Sequence, residues 1–218
     1  MTTKVFISKG STTTVKQREF IDGVLESLEV SGLSPRIMYE NEWSHEQPLV
    51  AIKKVIRECS GAVVIAFERT IIEKGVELKK DGKKKLQNIA LTTPWNQIEA
   101  AMAYSFDLPL LVIAENGLKS EGLIEQGYDW NVYWTDLTVE ASKSDSFKGF
   151  LKSWKVSVEN FNSKPRTEIA DLSKLSIGQL IKLMNVSQLW KVLAAIISLI
   201  SAIAVLAFKT GGGKWPWE

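Results

Sequence analysis

With 218 residues, the chain has room for one ordinary domain and an appendage, and its 27 basic and 25 acidic side chains nearly cancel, which speaks against a nucleic-acid partner. One cysteine, Cys59, excludes an intramolecular disulfide and fits a reducing compartment. One histidine, His45, argues against a His-rich metal site or a Ser–His–Asp triad, so no metal is expected.

The apolar run Val5 to Ile7 is too short for a signal-peptide core, so the main domain is expected to be cytoplasmic. Lys4 to Ser8 reads as a short buried strand, followed by the polar loop Lys9 to Thr14 with Gly10 in it. Ile21, Val24, Leu25 and Leu28 recur at helical spacing and predict an amphipathic helix. Gly32 and Pro35 punctuate it, and Arg36 to Glu40 reads as a second strand. A polar loop, Asn41 to Pro48, leads to a helix carrying Leu49, Ile52, Val55 and Ile56. Ala62 to Phe67 is a continuous apolar run, as in a strand buried on both faces.

Residues 68–92 read as a long charged connection, with Lys79, Lys80, Lys83, Lys84 and Lys85 around Asp81-Gly82. Such a run is either a solvated loop or a contact for anionic lipid. Thr93 and Pro94 are an N-cap and first helical residue, opening a helix to about Phe106 with Ile98, Ala101 and Met102 toward the core. Pro109 to Ala114 and Asn131 to Trp134 are the fourth and fifth strands. Phe147, Phe150, Leu151, Trp154, Val158 and Phe161 form one stripe of a closing helix, and Pro165 ends the domain. Strands alternating with helices predict an α/β fold, a flavodoxin-like doubly wound sheet of five parallel strands.

From Val192 to Phe208 no residue is charged, and with Leu189 and Trp190 the apolar stretch reaches about 20 residues, the span of a bilayer core. Trp190 on one side and Trp215 and Trp217 on the other stand where interfacial aromatics belong. The expected plan is a main domain over 1–162, a juxtamembrane linker or helix over 163–188, a transmembrane helix over 189–208 and a short tail over 209–218. The chain would then be a single-pass protein of the cell inner membrane. Ala194, Ser198 and Ala202 recur every four residues, a stripe of small side chains that lets helices pack closely in lipid, so the lipid bilayer and a second copy are the expected partners.

In such a sheet ligands bind beyond the C-terminal strand ends, where the first and third strands diverge. Ser8, Lys9, Gly10 and Ser11 therefore fall at the expected site, where backbone N–H groups, hydroxyls, one cation and a helix N-terminus suit phosphate. Trp95 and Glu99 are four apart and share a face of the helix that starts there, an aromatic surface beside a carboxylate. Spacing alone favours the plainer reading, a core Trp with a surface Glu. Trp43, in the loop after the second strand, is a further aromatic for the rim or for assembly.

These segments resemble a TIR domain, the Toll/interleukin-1 receptor family, over about residues 4–140. Val5-Phe-Ile-Ser8 resembles its first strand, Ser60 to Ile65 its third, and Leu108 to Ile113 its fourth. Trp95-Asn-Gln-Ile-Glu99 is similar to the Trp-x-x-x-Glu signature of NAD-cleaving members. The resemblance implies a catalytic Glu99, a site lined by Trp95, and NAD⁺ as substrate with no further cofactor. It also implies an antiphage-defence role activated by oligomerisation, driven by an upstream sensor protein or a nucleotide signal. Lys9-Gly10 stands where the family usually has an aromatic-basic pair, and its early acidic residue is missing from the first loop. Two other functions remain open on this scaffold. One is a non-catalytic module that binds a partner or nucleotide while the tail helix disrupts the membrane. The other is a transferase acting on free nucleosides.

Overall fold

A computed structural model of the protein describes residues 2–125, 127, 130–163 and 186–210. It divides into two units, Met1–Pro165 and Arg166–Glu218.

In the first unit five parallel strands, β1 (Thr3–Lys9), β2 (Leu33–Arg36), β3 (Ala62–Ala66), β6 (Leu110–Glu115) and β7 (Asn131–Thr135), form one sheet. Its order is β2-β1-β3-β6-β7, so the chain winds outward from β1 in both directions, as the alternating pattern predicts. β3 lies between β1 and β6 and is buried at every residue, which accounts for its unbroken apolar run.

Period-two alternation sorts the two faces of the sheet. Val5, Ile7, Val63, Ile65, Leu111 and Ile113 pack under α1 (Val15–Val30) and α5 (Asp145–Ser163), with Phe20, Val24, Phe147, Leu151 and Trp154 as their partners. Phe6, Ala62, Val64, Leu110 and Val112 face the other way, toward α2 (Pro48–Glu58) and α3 (Pro94–Tyr104). Ser8 is in phase with Phe6, which sends its side chain to the α3 side. A four-residue helix, α4 (Val139–Ser142), precedes α5.

The α5 helix lies so close to the start of β3 that a Cβ on Gly61 would stand 2.6 Å from Val158 Cγ2 and 2.8 Å from Trp154 Cζ2. The Trp154 indole N–H donates to the Pro109 carbonyl at 3.1 Å, and the Ala62 N–H donates to the same oxygen at 3.0 Å.

Three sequence expectations are corrected. The second strand is Leu33–Arg36, running through Pro35, and not Arg36 to Glu40. Residues 68–92 are not a loop but a hairpin, β4 (Thr70–Lys79) and β5 (Gly82–Leu91), paired antiparallel apart from the main sheet. The lysines obscure an alternation of Ile72, Val76 and Leu78 along β4, and Asp81-Gly82 stands at the turn that reverses the chain. The face α3 turns to the sheet is Asn96, Ala100 and Ala103, whereas Ile98 is exposed. The helix lies directly over β1 and β3, where only small side chains fit between the backbones, and the bulkier residues are pushed to its flank.

In the second unit the described element is a helix, Val186–Thr210. Val186–Leu206 is a 21-residue stretch of mean hydropathy 2.4, long and apolar enough to cross a membrane. At 1.5 Å per residue it extends about 31 Å, the thickness of a hydrocarbon core. The Ser201 hydroxyl donates to the Ile197 carbonyl at 2.9 Å, so this polar group is satisfied within the helix. Most of the expected juxtamembrane linker, and Trp215 and Trp217 beyond the helix, lie outside the described residues.

Candidate functional site

A cleft of about 580 Å³ opens at the C-terminal ends of β1, β2 and β3. Lys9, Gly10 and Ser11 come from the loop after β1, Tyr39 and Glu40 from the loop after β2, and Arg69 from the loop after β3. Thr93, Trp95 and Glu99 of the α3 N-terminus complete it. The location is the switch point of the sheet, where strand order reverses. A larger cavity, about 780 Å³, lies at the other end of the sheet between β6, β7 and α5, with Asp107 as the carboxylate and Tyr104 as a phenol in its lining.

Local sequence explains how α3 presents its groups. Thr93 caps the helix by accepting from the Trp95 N–H at 3.3 Å, and Pro94 supplies the fixed φ of the first turn. Trp95 is 45% exposed at the rim, and Glu99, one turn on, sits half-buried against the sheet. A directed chain of hydrogen bonds ends on that carboxylate. The Thr92 hydroxyl donates to the Asn96 side-chain carbonyl at 2.9 Å, and the Asn96 amide donates to Ser8 Oγ at 3.0 Å. The Ser8 hydroxyl then bonds to Glu99. Burial pushes the Glu99 carboxyl up to about 7, and the Ser8 hydrogen bond only partly opposes the shift.

Ser8 itself is buried beneath the cleft and acts on Glu99 rather than facing a ligand. Lys9 is spoken for: its ammonium pairs with Glu40 at 2.5 Å. The helix N-terminus expected to welcome phosphate is also largely occupied. Gln17 Oε1 accepts from the Thr13 N–H at 2.8 Å and the Thr14 N–H at 3.3 Å, while Thr14 Oγ1 accepts from the Gln17 N–H at 3.1 Å. This capping box closes the donors an anion would use. Gln17 also donates to the Glu68 carbonyl at 3.3 Å, which ties the α1 N-terminus to the loop after β3. Trp43 is 76% exposed and is not part of the cleft wall.

The sequence reading missed Asn96, Arg69, Tyr39 and Glu40. An asparagine one turn into a capped helix was the available signal for Asn96, since a buried amide there needs partners. Tyr39 adopts a left-handed φ of 63°, held by a tight turn in which its N–H donates to the Glu42 carbonyl at 2.8 Å. Arg69 is the informative omission. Among the described residues no carboxylate pairs with it, so it is the cationic side chain of the cleft whose charge is left for a ligand.

No protein-family model matches the chain, and no curated protein matches it. Among solved structures the chain is similar to the CMP N-glycosidase BcmB of Clostridium botulinum, at 13% identity and a TM-score of 0.39, over 69% of this chain and 98% of that one. It is also similar to the flavoenzyme NAD(P)H:(acceptor) oxidoreductase FerB of Paracoccus denitrificans, at 11% identity and TM-score 0.35, over 73% and 97%. A third likeness is to the TIR domains of the activated Roq1 resistosome, at 13% identity and TM-score 0.35, over 79% and 93%. At TM-scores this low, these likenesses carry no chemistry over to this chain.

Among the described residues no group of His, Cys, Asp and Glu is arranged to hold a metal ion. The cleft instead offers one oriented carboxylate, an aromatic wall and an uncommitted guanidinium. Glu40 is a second carboxylate on the wall, but Lys9 already neutralises it. This set suits a reaction that builds positive charge on a ligand carrying an anionic group.

Proposed function

We propose that the chain is a TIR-type NAD⁺ glycohydrolase tethered to a membrane by its tail helix. The observation that carries this reading is the half-buried Glu99, aimed by the Thr92–Asn96–Ser8 chain into a cleft walled by Trp95. Hydrolysis breaks the bond between C1′ of ribose and the nicotinamide nitrogen, and the bonding pair leaves with the ring. Nicotinamide departs neutral from a cationic N-glycoside, so no general acid is required, in contrast to O-glycosides, which need a second carboxyl to protonate the leaving oxygen. The ribose becomes oxocarbenium-like, and the Glu99 carboxylate stabilises that developing charge in a site partly shielded from water. Water adds to C1′ and gives up a proton, leaving ADP-ribose. Trp95 stacks on a ring of the substrate, and Arg69 pairs with the diphosphate.

The test is nicotinamide release from NAD⁺ by the full chain in lipid nanodiscs. Glu99→Gln is expected to lower turnover by about a hundredfold or more, as for loss of a group that stabilises transition-state charge, with the circular dichroism spectrum unchanged. Arg69→Ala is expected to raise KM with little change in kcat. Full turnover by Glu99→Gln overturns the reading. Cleavage of free nucleosides with NAD⁺ untouched would assign the cleft to a nucleoside-modifying enzyme. Toxicity that survives Glu99→Ala but not loss of residues 189–218 would assign the chain to a non-catalytic module.

A further inference from the structure

The β4–β5 hairpin takes no part in the cleft chemistry beyond its base, and its two faces differ sharply in composition. The pairing register sets Lys74 opposite Gln87, Val76 opposite Lys85 and Leu78 opposite Lys83, all on one face. Glu77 and Lys84 pair on the other face, which they share with Leu86 and, by alternation, Glu73. The strand acids therefore lie together on one face, and the charged side chains on the face with Val76 and Leu78 are all lysines.

The acid-bearing face is the one tied to the body of the domain. Leu86 is buried, Glu77 pairs with Lys119 at 2.6 Å, and the Lys119 N–H donates to the Ala90 carbonyl at 2.9 Å. Its partner lysine holds the Glu77 carboxyl below the usual carboxylate range. The opposite face has no such cover: Val76 is 56% exposed and Leu78 is 76% exposed. Lysines on an edge strand can serve only to discourage strand addition. That purpose requires neither the exclusion of acids from one face nor two large apolar side chains set against the lysines.

We propose that this outer face, Lys74, Val76, Leu78, Lys83 and Lys85, is a docking surface for anionic lipid. Val76 and Leu78 would enter the headgroup layer while the lysine stems lie along them and their ammonium groups meet lipid phosphates. Charge complementarity selects the occupant, because a second copy would bring the same lysines against these. The tail helix of the same chain, with its 21-residue apolar span, supplies the reason for such a surface to be near a bilayer.

A local probe separates this contact from anchoring by the tail. The full chain carrying Gln87→Cys, labelled with an environment-sensitive fluorophore, is reconstituted into vesicles of phosphatidylcholine alone or of phosphatidylcholine and phosphatidylglycerol in equal parts. Native Cys59 is buried, and unlabelled-site background is set by the parent chain treated in the same way. The expected result is a blue shift with quenching by nitroxide lipid only in the anionic vesicles. It should be lost at high salt, in Lys83→Glu/Lys85→Glu and in Val76→Ser/Leu78→Ser, with secondary structure kept. Equal spectra in the two lipids would overturn the proposal. So would a blue shift that grows with protein concentration in lipid-free detergent, which would assign the face to a second copy.

Discussion

At the scale of single residues, Glu99 is where structure and energy pull against each other. Its carboxyl is pushed up to about 7 by burial, so the folded protein holds a proton that the unfolded chain gives up near 4.5. As pH rises between those values the unfolded state deprotonates first, and the folded state loses stability relative to it. The penalty is absent below about pH 4 and complete above about pH 8, and a shift of this size is worth about 3 kcal/mol at most. Glu99→Gln should therefore melt at a higher temperature than the parent at pH 8 and at nearly the same temperature at pH 4, as differential scanning calorimetry will record. Activity should follow the opposite course. Only the ionised carboxylate stabilises a cationic ribose, so kcat/KM for NAD⁺ should climb with pH through a single ionisation near 7.

At the scale of elements, the close approach of α5 to β3 is the most exacting feature of the packing. A methyl on Gly61 would press into Val158 and Trp154, both held in the core. Gly61→Ala should cost about 1–3 kcal/mol in urea unfolding, the usual penalty of overpacking, and loosen the Trp154–Pro109 hydrogen bond detected by indole N–H exchange. Pro35 read as a breaker and hid the start of β2 at Leu33, but the other four parallel strands and the helices between them were legible in the sequence because each buries an apolar face or an unbroken apolar run. The hairpin was not, since six lysines between Lys74 and Lys85 mask the alternation beneath them. The face of α3 was misjudged in part for a related reason: Ile98 outweighs Ala100 and Ala103 in hydrophobicity, but close contact with the sheet selects for size, and Met102 packs against the core from the flank. The pair Trp95 and Glu99 was readable from its spacing, whereas Arg69 and Tyr39 belong to loops whose convergence depends on the order of the strands. No local pattern announces that convergence.

At the scale of the whole molecule, the sequence separates cleanly into a mixed-charge unit and an apolar helix. The helix was legible because the run from Val192 to Phe208 carries no charge and, with its flanks, is long and apolar enough to cross a bilayer. The cleft and the hairpin meet at one backbone hydrogen bond, from the Arg69 N–H to the Leu91 carbonyl at 2.9 Å. The residue proposed to pair with the ligand's anionic group thus lies at the root of the face proposed to meet lipid.

The half-protonated carboxylate of Glu99 also makes the cleft a proton counter. A cationic ligand that settles against Glu99 favours its ionised form, and the displaced proton must go to the buffer. With the carboxyl at about 7, binding at neutral pH should release about half a proton per site. Titration calorimetry of Glu99-intact chain with a non-hydrolysable NAD⁺ analogue, in buffers of different ionisation enthalpy, will show that release as a buffer-dependent heat. The same titration of Glu99→Gln will show none.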